Sequence, residues 1–193
     1  MGTALLGLGW AGCRSAASLG PAPRQNRMQL RAQADPVINR DPEGNPLSVV
    51  VHLYQLKDRV GFDRLGFDAA ASGRPEAELL GADCLGRTEL VVVPGGSHTA
   101  ALDLLPGTRF VGIVALFRRP DPQGWRYLVS LDRIPAGRNR GRRKPGEGGP
   151  VLAFRVRECS LDLPGLQPES LPGQSGSRIS GEAGPTRPGG ARP

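Results

Sequence analysis

From Met28 to Ala34 apolar and polar residues alternate, with Met28, Leu30, Ala32 and Ala34 set against Gln29, Arg31 and Gln33. A period of two predicts a strand with one buried face. The stretch SVVVHLYQL, residues 48–56, is apolar on both sides: Val49, Val51 and Leu53 on one face, Val50, Tyr54 and Leu56 on the other. That pattern predicts a central strand covered twice over. His52 shares the second face and reads as a satisfied or edge-facing histidine, not a ligand. Between Lys57 and Arg87 the alternation stops. GFDRLGFDAA and RPEAELLGAD predict two short helical segments, the second with Pro75 suited to a first turn and acids following it.

Strand signals resume in TELVVV, HTAALDL, TRFVGIVALF, WRYLVSL and VLAFRVREC, separated by Pro-Gly turns, a Pro-Asp-Pro-Gln-Gly turn and a basic loop. PGGSHTAALD reads as a hairpin between two of these strands. Seven strands with turn signals between them predict an all-β protein, an antiparallel β-sandwich with short helical insertions.

Composition sets the limits of that body. The chain holds 28 Gly and 19 Pro, unevenly placed. From Ser160 to Pro193 there are 7 Gly, 6 Pro and no aromatic residue, a composition that predicts a disordered tail over 161–193. Residues 28–160 form the predicted sandwich domain. At the other end, the short apolar run MGTALLGLGWAG is too short to span a bilayer. Ending in Ala11 and Gly12 directly before Cys13, it resembles a bacterial lipobox. Residues 1–12 then read as a lipoprotein signal segment, Cys13 as the acylated residue, and 13–27, rich in Ser, Ala, Pro and Gln, as a flexible tether.

The net charge of +7 is concentrated, because Arg138, Arg140, Arg142, Arg143 and Lys144 supply +5 in one stretch without an acid. Gly and Pro separate these charges and no aromatic side chain interleaves them, so the loop reads as solvated, facing anionic lipid or a negative partner surface. A nucleic-acid binder needs a basic docking face with stacking aromatics, and nucleic acid is not an expected partner.

Catalytic constellations are thin. Ser97, His98 and Asp103 lie close in sequence, but a serine hydrolase needs its nucleophile on a strained elbow and its histidine from elsewhere. Cys84 with His98 resembles a thiol-protease pair by residue type only. No Cys-x-x-Cys occurs and the two histidines have no ligand spacing, so neither a metal nor a cofactor is expected. With Cys13 lipidated, Cys84 and Cys159 remain as an even pair that suits a disulfide in an oxidising compartment, or equally as two unrelated buried thiols. Trp125 and Arg126 read as core or sheet-edge packing, with sugar or peptide recognition the alternative.

Several stretches occurring in order resemble the outer-membrane lipoprotein family of the bacterial type VI secretion system, TssJ (VasD/Lip). They are DPVINRDPEGNPLSVVVHLYQLKD, then Phe62 and Phe67, ELVVVPGG, FVGIVALFR and the Trp-Arg of GWRYLV. The resemblance implies a transthyretin-like sandwich without catalytic activity, lipid-anchored to the outer membrane and facing the periplasm. It implies that the protein binds the periplasmic C-terminal domain of TssM, and through it TssL indirectly. The loop between the first two strands, Asn39, Arg40, Asp41, Pro42, Glu43, Gly44, Asn45 and Pro46, is then the docking element. The competing reading is a generic periplasmic β-sandwich lipoprotein that binds a small ligand or carbohydrate.

Overall fold

A computed structural model describes residues 27–137 and 149–172. Among the described residues eight strands form two four-stranded sheets. β1 (Arg27–Ala34) is followed by β2 (Val49–Leu56), and three short helices come next: α1 (Val60–Asp63), α2 (Phe67–Ala71) and α3 (Glu76–Leu79). After them run β3 (Cys84–Val92), β4 (Ser97–Asp103), β5 (Phe110–Leu116), β6 (Arg126–Ser130), β7 (Val151–Val156) and β8 (Leu161–Asp162). One sheet has the order β4-β1-β7-β8 and the other β3-β2-β5-β6.

The alternation in β1 does what its period requires. Met28, Leu30, Ala32 and Ala34 are buried, as are Leu152, Phe154 and Val156 of β7 beside them. They join Val49, Val51, Leu53 and Ile113 of the second sheet in one core. Each fully buried Leu, Val or Phe contributes roughly 1.5–3 kcal/mol relative to exposure, so this layer supplies most of the cohesion. β2 is central, between β3 and β5, and its second face is covered as well. The helical insertion lies over it, with Phe62 fully buried and its ring 6.3 Å from that of Tyr54.

Four expectations change. The sandwich is not wholly antiparallel, because β1 pairs with β7 in parallel. TELVVV and HTAALDL form no hairpin: β3 and β4 lie in different sheets. The Pro-Gly-Gly turn between them is fastened to the end of β1, where Ala34 N–H donates to Gly96 O and Gly95 N–H to Asp35 O. The strand leaving that turn therefore falls onto β1. The insertion holds three helices, with Pro75 capping α3 instead of opening its first turn.

The fourth change concerns the predicted disordered tail, whose first part, 161–172, is folded. Leu161, Leu163 and Leu171 are buried. Glu169 accepts ion pairs from Arg59 and Arg133 and donates its N–H to Leu128 O. Apolar residues every few positions supply the burial that the Gly and Pro counts obscure. Cys13, the basic residues 138–144 and the rest of the tail lie outside the described residues.

Candidate functional site

The loop joining β1 to β2 is built from its base upward. Ile38 is fully buried, and its carbonyl accepts the Leu47 N–H at 3.1 Å, closing the neck. Asn39 sits on that neck with φ +48°, a left-handed conformation that asparagine tolerates better than most residues. Its side chain donates from Nδ2 to Ser48 O at 2.8 Å and accepts the Arg118 N–H at Oδ1 at 2.7 Å. Its own N–H donates to Glu158 O at 2.7 Å. The residue thus ties the loop to the start of β2, the end of β5 and the end of β7.

Above Asn39 the chain makes a tight turn. Asp41 O accepts the Gly44 N–H at 3.1 Å, and Asp41 N–H donates to Asn45 O at 2.9 Å. The Asp41 carboxylate accepts the Asn45 N–H at 2.7 Å and the Asn45 side-chain amide at 3.0 Å. These bonds, the amide foremost, hold the Asp41 carboxyl below its usual range. Gly44 takes φ +90°, a region closed to most side chains. Arg40 reaches sideways to Glu158, Nε to Oε1 at 2.9 Å.

The eight predicted docking residues therefore divide. Asn39, Arg40, Asp41, Gly44 and Asn45 are held within the loop or against its base, whereas Pro42, Glu43 and Pro46 are exposed and Pro42 and Glu43 form the tip. Beside the loop lies a groove of about 290 Å³ lined by Asn39, Arg40, Asp41, Arg119, Glu158 and Cys159. Glu158, which fastens the loop by both backbone and side chain, was not legible as a site residue. It stands at the end of a strand pattern, and its partner is 118 positions away.

The other candidate groups do not assemble. Cys84 and Cys159 are both free, contrary to the expected disulfide. Cys84 is level with Leu56 at one end of β2, whereas Cys159 O accepts the Asp121 N–H near the opposite end. The length of an eight-residue strand, about 23 Å, separates those ends, and a disulfide needs Cα atoms within about 7 Å. Burial pushes both thiols up from their ordinary pKa. Ser97 and His98 are neighbours on β4 and point to opposite faces, and Asp103 is engaged by Arg27 at 2.6 Å. His52 is buried, its Nδ1 3.2 Å from Tyr54 Oη and its Nε2 3.3 Å from Glu89.

Trp125 and Arg126 are buried with the insertion. The Phe67 ring meets Trp125 edge to face at 5.2 Å, and Arg126 lies over Trp125 at 5.0 Å. Phe62, Phe67, Trp125 and Arg126 thus pack together and lock the helices to the sheet. Among the described residues no three His, Cys, Asp or Glu side chains cluster to hold a metal.

Residues 26–142 match the family model described as type VI secretion lipoprotein, VasD, EvfM, TssJ. Solved structures are similar too. A chain in the structure described as the type VI membrane complex is 29% identical, with a TM-score of 0.57 over 72% of this chain and 97% of that one. A chain in the structure described as the TssM C-terminal domain from EAEC is 28% identical, with a TM-score of 0.55 over 71% of this chain and 96% of that one. The lipoprotein TssJ1 from Pseudomonas aeruginosa shares the fold at 22% identity, with a TM-score of 0.57 over 77% of this chain and 99% of that one. No curated protein sequence matches the chain.

Proposed function

Because the chain belongs to the VasD, EvfM, TssJ family of type VI secretion lipoproteins, we propose that it is a non-enzymatic outer-membrane component of that system. In this reading it binds the periplasmic C-terminal domain of TssM and so helps to anchor the assembly that includes TssL. Residues 1–12 serve as signal segment, Cys13 carries the lipid, 13–27 form the tether, and the sandwich faces the periplasm.

The observation that carries the docking role is the construction of the Asn39–Pro46 loop. Four hydrogen bonds within the Asp41–Asn45 turn, and Asn39 and Arg40 at its base, fix the shape of an exposed tip. A loop ordered before contact loses little conformational entropy on binding. Pro42, Glu43 and Pro46 are then the contact residues, and Asn39, Arg40, Asp41, Gly44 and Asn45 position them.

The test uses Pro42→Ser with Glu43→Lys, which leaves every bond of the turn in place. Affinity for the purified TssM periplasmic domain should fall about tenfold or more, a hot-spot loss, with the melting temperature unchanged. Wild-type affinity in this variant would place the TssM contact elsewhere on the molecule.

A further inference from the structure

We propose that the groove beside the Asn39–Pro46 loop receives an acidic side chain of the docking partner, held by Arg119. This inference rests on the TssM reading and deepens it, because it states the chemistry that the partner must bring.

Three pieces of chain form the groove, and hydrogen bonds join them to one another. Asn39, Arg40 and Asp41 come from the loop, Arg119 from the turn after β5, and Glu158 and Cys159 from the turn after β7. Asn39 Oδ1 accepts the Arg118 N–H at 2.7 Å, Cys159 O accepts the Asp121 N–H at 2.9 Å, and Glu158 O accepts the Asn39 N–H at 2.7 Å. The walls are therefore set before any partner arrives, which lowers the ordering entropy lost on binding. At about 290 Å³ the groove falls just short of small-molecule pockets, which start at about 300 Å³, and it suits a single side chain.

Four charged side chains line it, and three are already matched. Arg40 and Glu158 pair at 2.9 Å. The two carboxylate oxygens of Asp41 accept the backbone and side-chain N–H groups of Asn45. Arg119 is exposed, and its guanidinium has no partner among the described residues; the same is true of Arg118 beside it. Nearby, Arg155–Asp35 and Arg157–Asp162 are closed pairs as well. The unmatched charge at the groove is thus positive. A guanidinium only donates, and a carboxylate meets it best, because the two can join through a pair of parallel hydrogen bonds.

The occupant follows from position. Asp41 is both a wall of the groove and the first residue of the turn that carries the exposed tip, Pro42 and Glu43, so a protein seated on the tip covers the groove too. Lipid headgroups also carry anions, but the described chain enters the domain at Arg27, the start of β1, and the groove stands beyond the far end of that strand. Glu43, exposed and unpaired like Arg119, gives the tip the opposite sign. The complementary partner surface sets a carboxylate against Arg119 and keeps carboxylates away from Glu43, since like charge at an interface is penalised.

The test uses the full chain and measures affinity for the purified TssM periplasmic domain at low and high salt. Arg119→Glu should bind about tenfold or more weakly with an unchanged melting temperature, since Arg119 has no partner to lose. Arg119→Lys should fall between it and wild type, because an ammonium cannot fork to a carboxylate. Wild-type affinity should depend more steeply on salt than that of Arg119→Ala. Arg109→Glu, which makes the same change in net charge at the other end of β5, should keep wild-type affinity. Arg119→Glu at wild-type affinity, or Arg109→Glu as weak as Arg119→Glu, overturns the inference. If Pro42→Ser/Glu43→Lys still weakens in the same assay, the TssM reading stands without the groove; wild-type affinity in both the tip and the Arg119→Glu variants removes that reading as well.

Discussion

Arg126 lies over the ring of Phe62, 5.8 Å from its centroid, and its Nη1 donates to the Phe62 carbonyl at 2.7 Å. The same guanidinium also donates to the carbonyls of Leu65 and Asp63. One side chain from β6 therefore takes up the carbonyl oxygens at the end of α1, a helix of four residues too short to be stable by itself. Burial lowers the Arg126 pKa, yet the cation and its acceptors satisfy one another.

Arg126→Ala should destabilise the protein by about 3 kcal/mol, because it takes the guanidinium from the Leu65 and Asp63 carbonyls, leaves the Phe62 carbonyl only its backbone donors, and opens a cavity beside Phe62. For a chain of this size that lowers the melting temperature by roughly 10 °C. Thermal unfolding followed by circular dichroism checks the loss. Arg126→Lys should recover only part of it, since an ammonium cannot fork to several carbonyls.

Gly112→Ala tests the same insertion from below. A Cβ at Gly112 would collide with the Phe62 ring, and overpacking of this kind costs about 1–3 kcal/mol. In a Phe62→Ala background the Gly112 substitution should cost much less, a coupling that a double-mutant cycle in denaturant measures.

Asn39→Ala removes the donor to Ser48 O and the acceptor of the Arg118 N–H, and places alanine at positive φ. The expected cost is about 2 kcal/mol. Both the melting temperature and TssM affinity should fall, in contrast to the tip variant, which should lose affinity alone.

His52 gives stability a pH dependence of known sign. Burial first, and Arg87 second, lower its pKa, and Glu89, half-exposed, opposes them incompletely. The folded state thus favours the neutral ring more than the unfolded chain does. Stability from His52 is present above the ordinary histidine pKa and is lost as pH falls through that range and on to the lowered folded value. Between about pH 8 and pH 5 the melting temperature should decline, and His52→Gln should flatten that decline.

Mass spectrometry after denaturation without reductant, with alkylation, should find Cys84 and Cys159 both modified. In the native protein their reaction should be slow, because burial disfavours both thiolates.

The residues alone were enough to place β1 to β7, because alternation and β-branched runs are local signals, whereas the two-residue β8 lies in the segment whose Gly and Pro content predicts disorder. Met28–Ala34 shows one buried face and Val49–Leu56 shows two. The loop between β1 and β2 was legible as Asn-Gly-Pro punctuation, and the family as motifs in order. Partnership between distant segments was not legible. The Pro-Gly-Gly signal after β3 promises a hairpin, yet bonds from Ala34 and Asp35 pin that turn to β1 and carry β4 into the other sheet. Parallel pairing of β1 with β7, the separation of Cys84 from Cys159, and the division of the loop into tip and struts have the same origin. Each depends on contacts between residues many tens of positions apart, whose energies arise from burial and hydrogen bonding in the assembled sandwich. A local pattern of residue types carries no record of them.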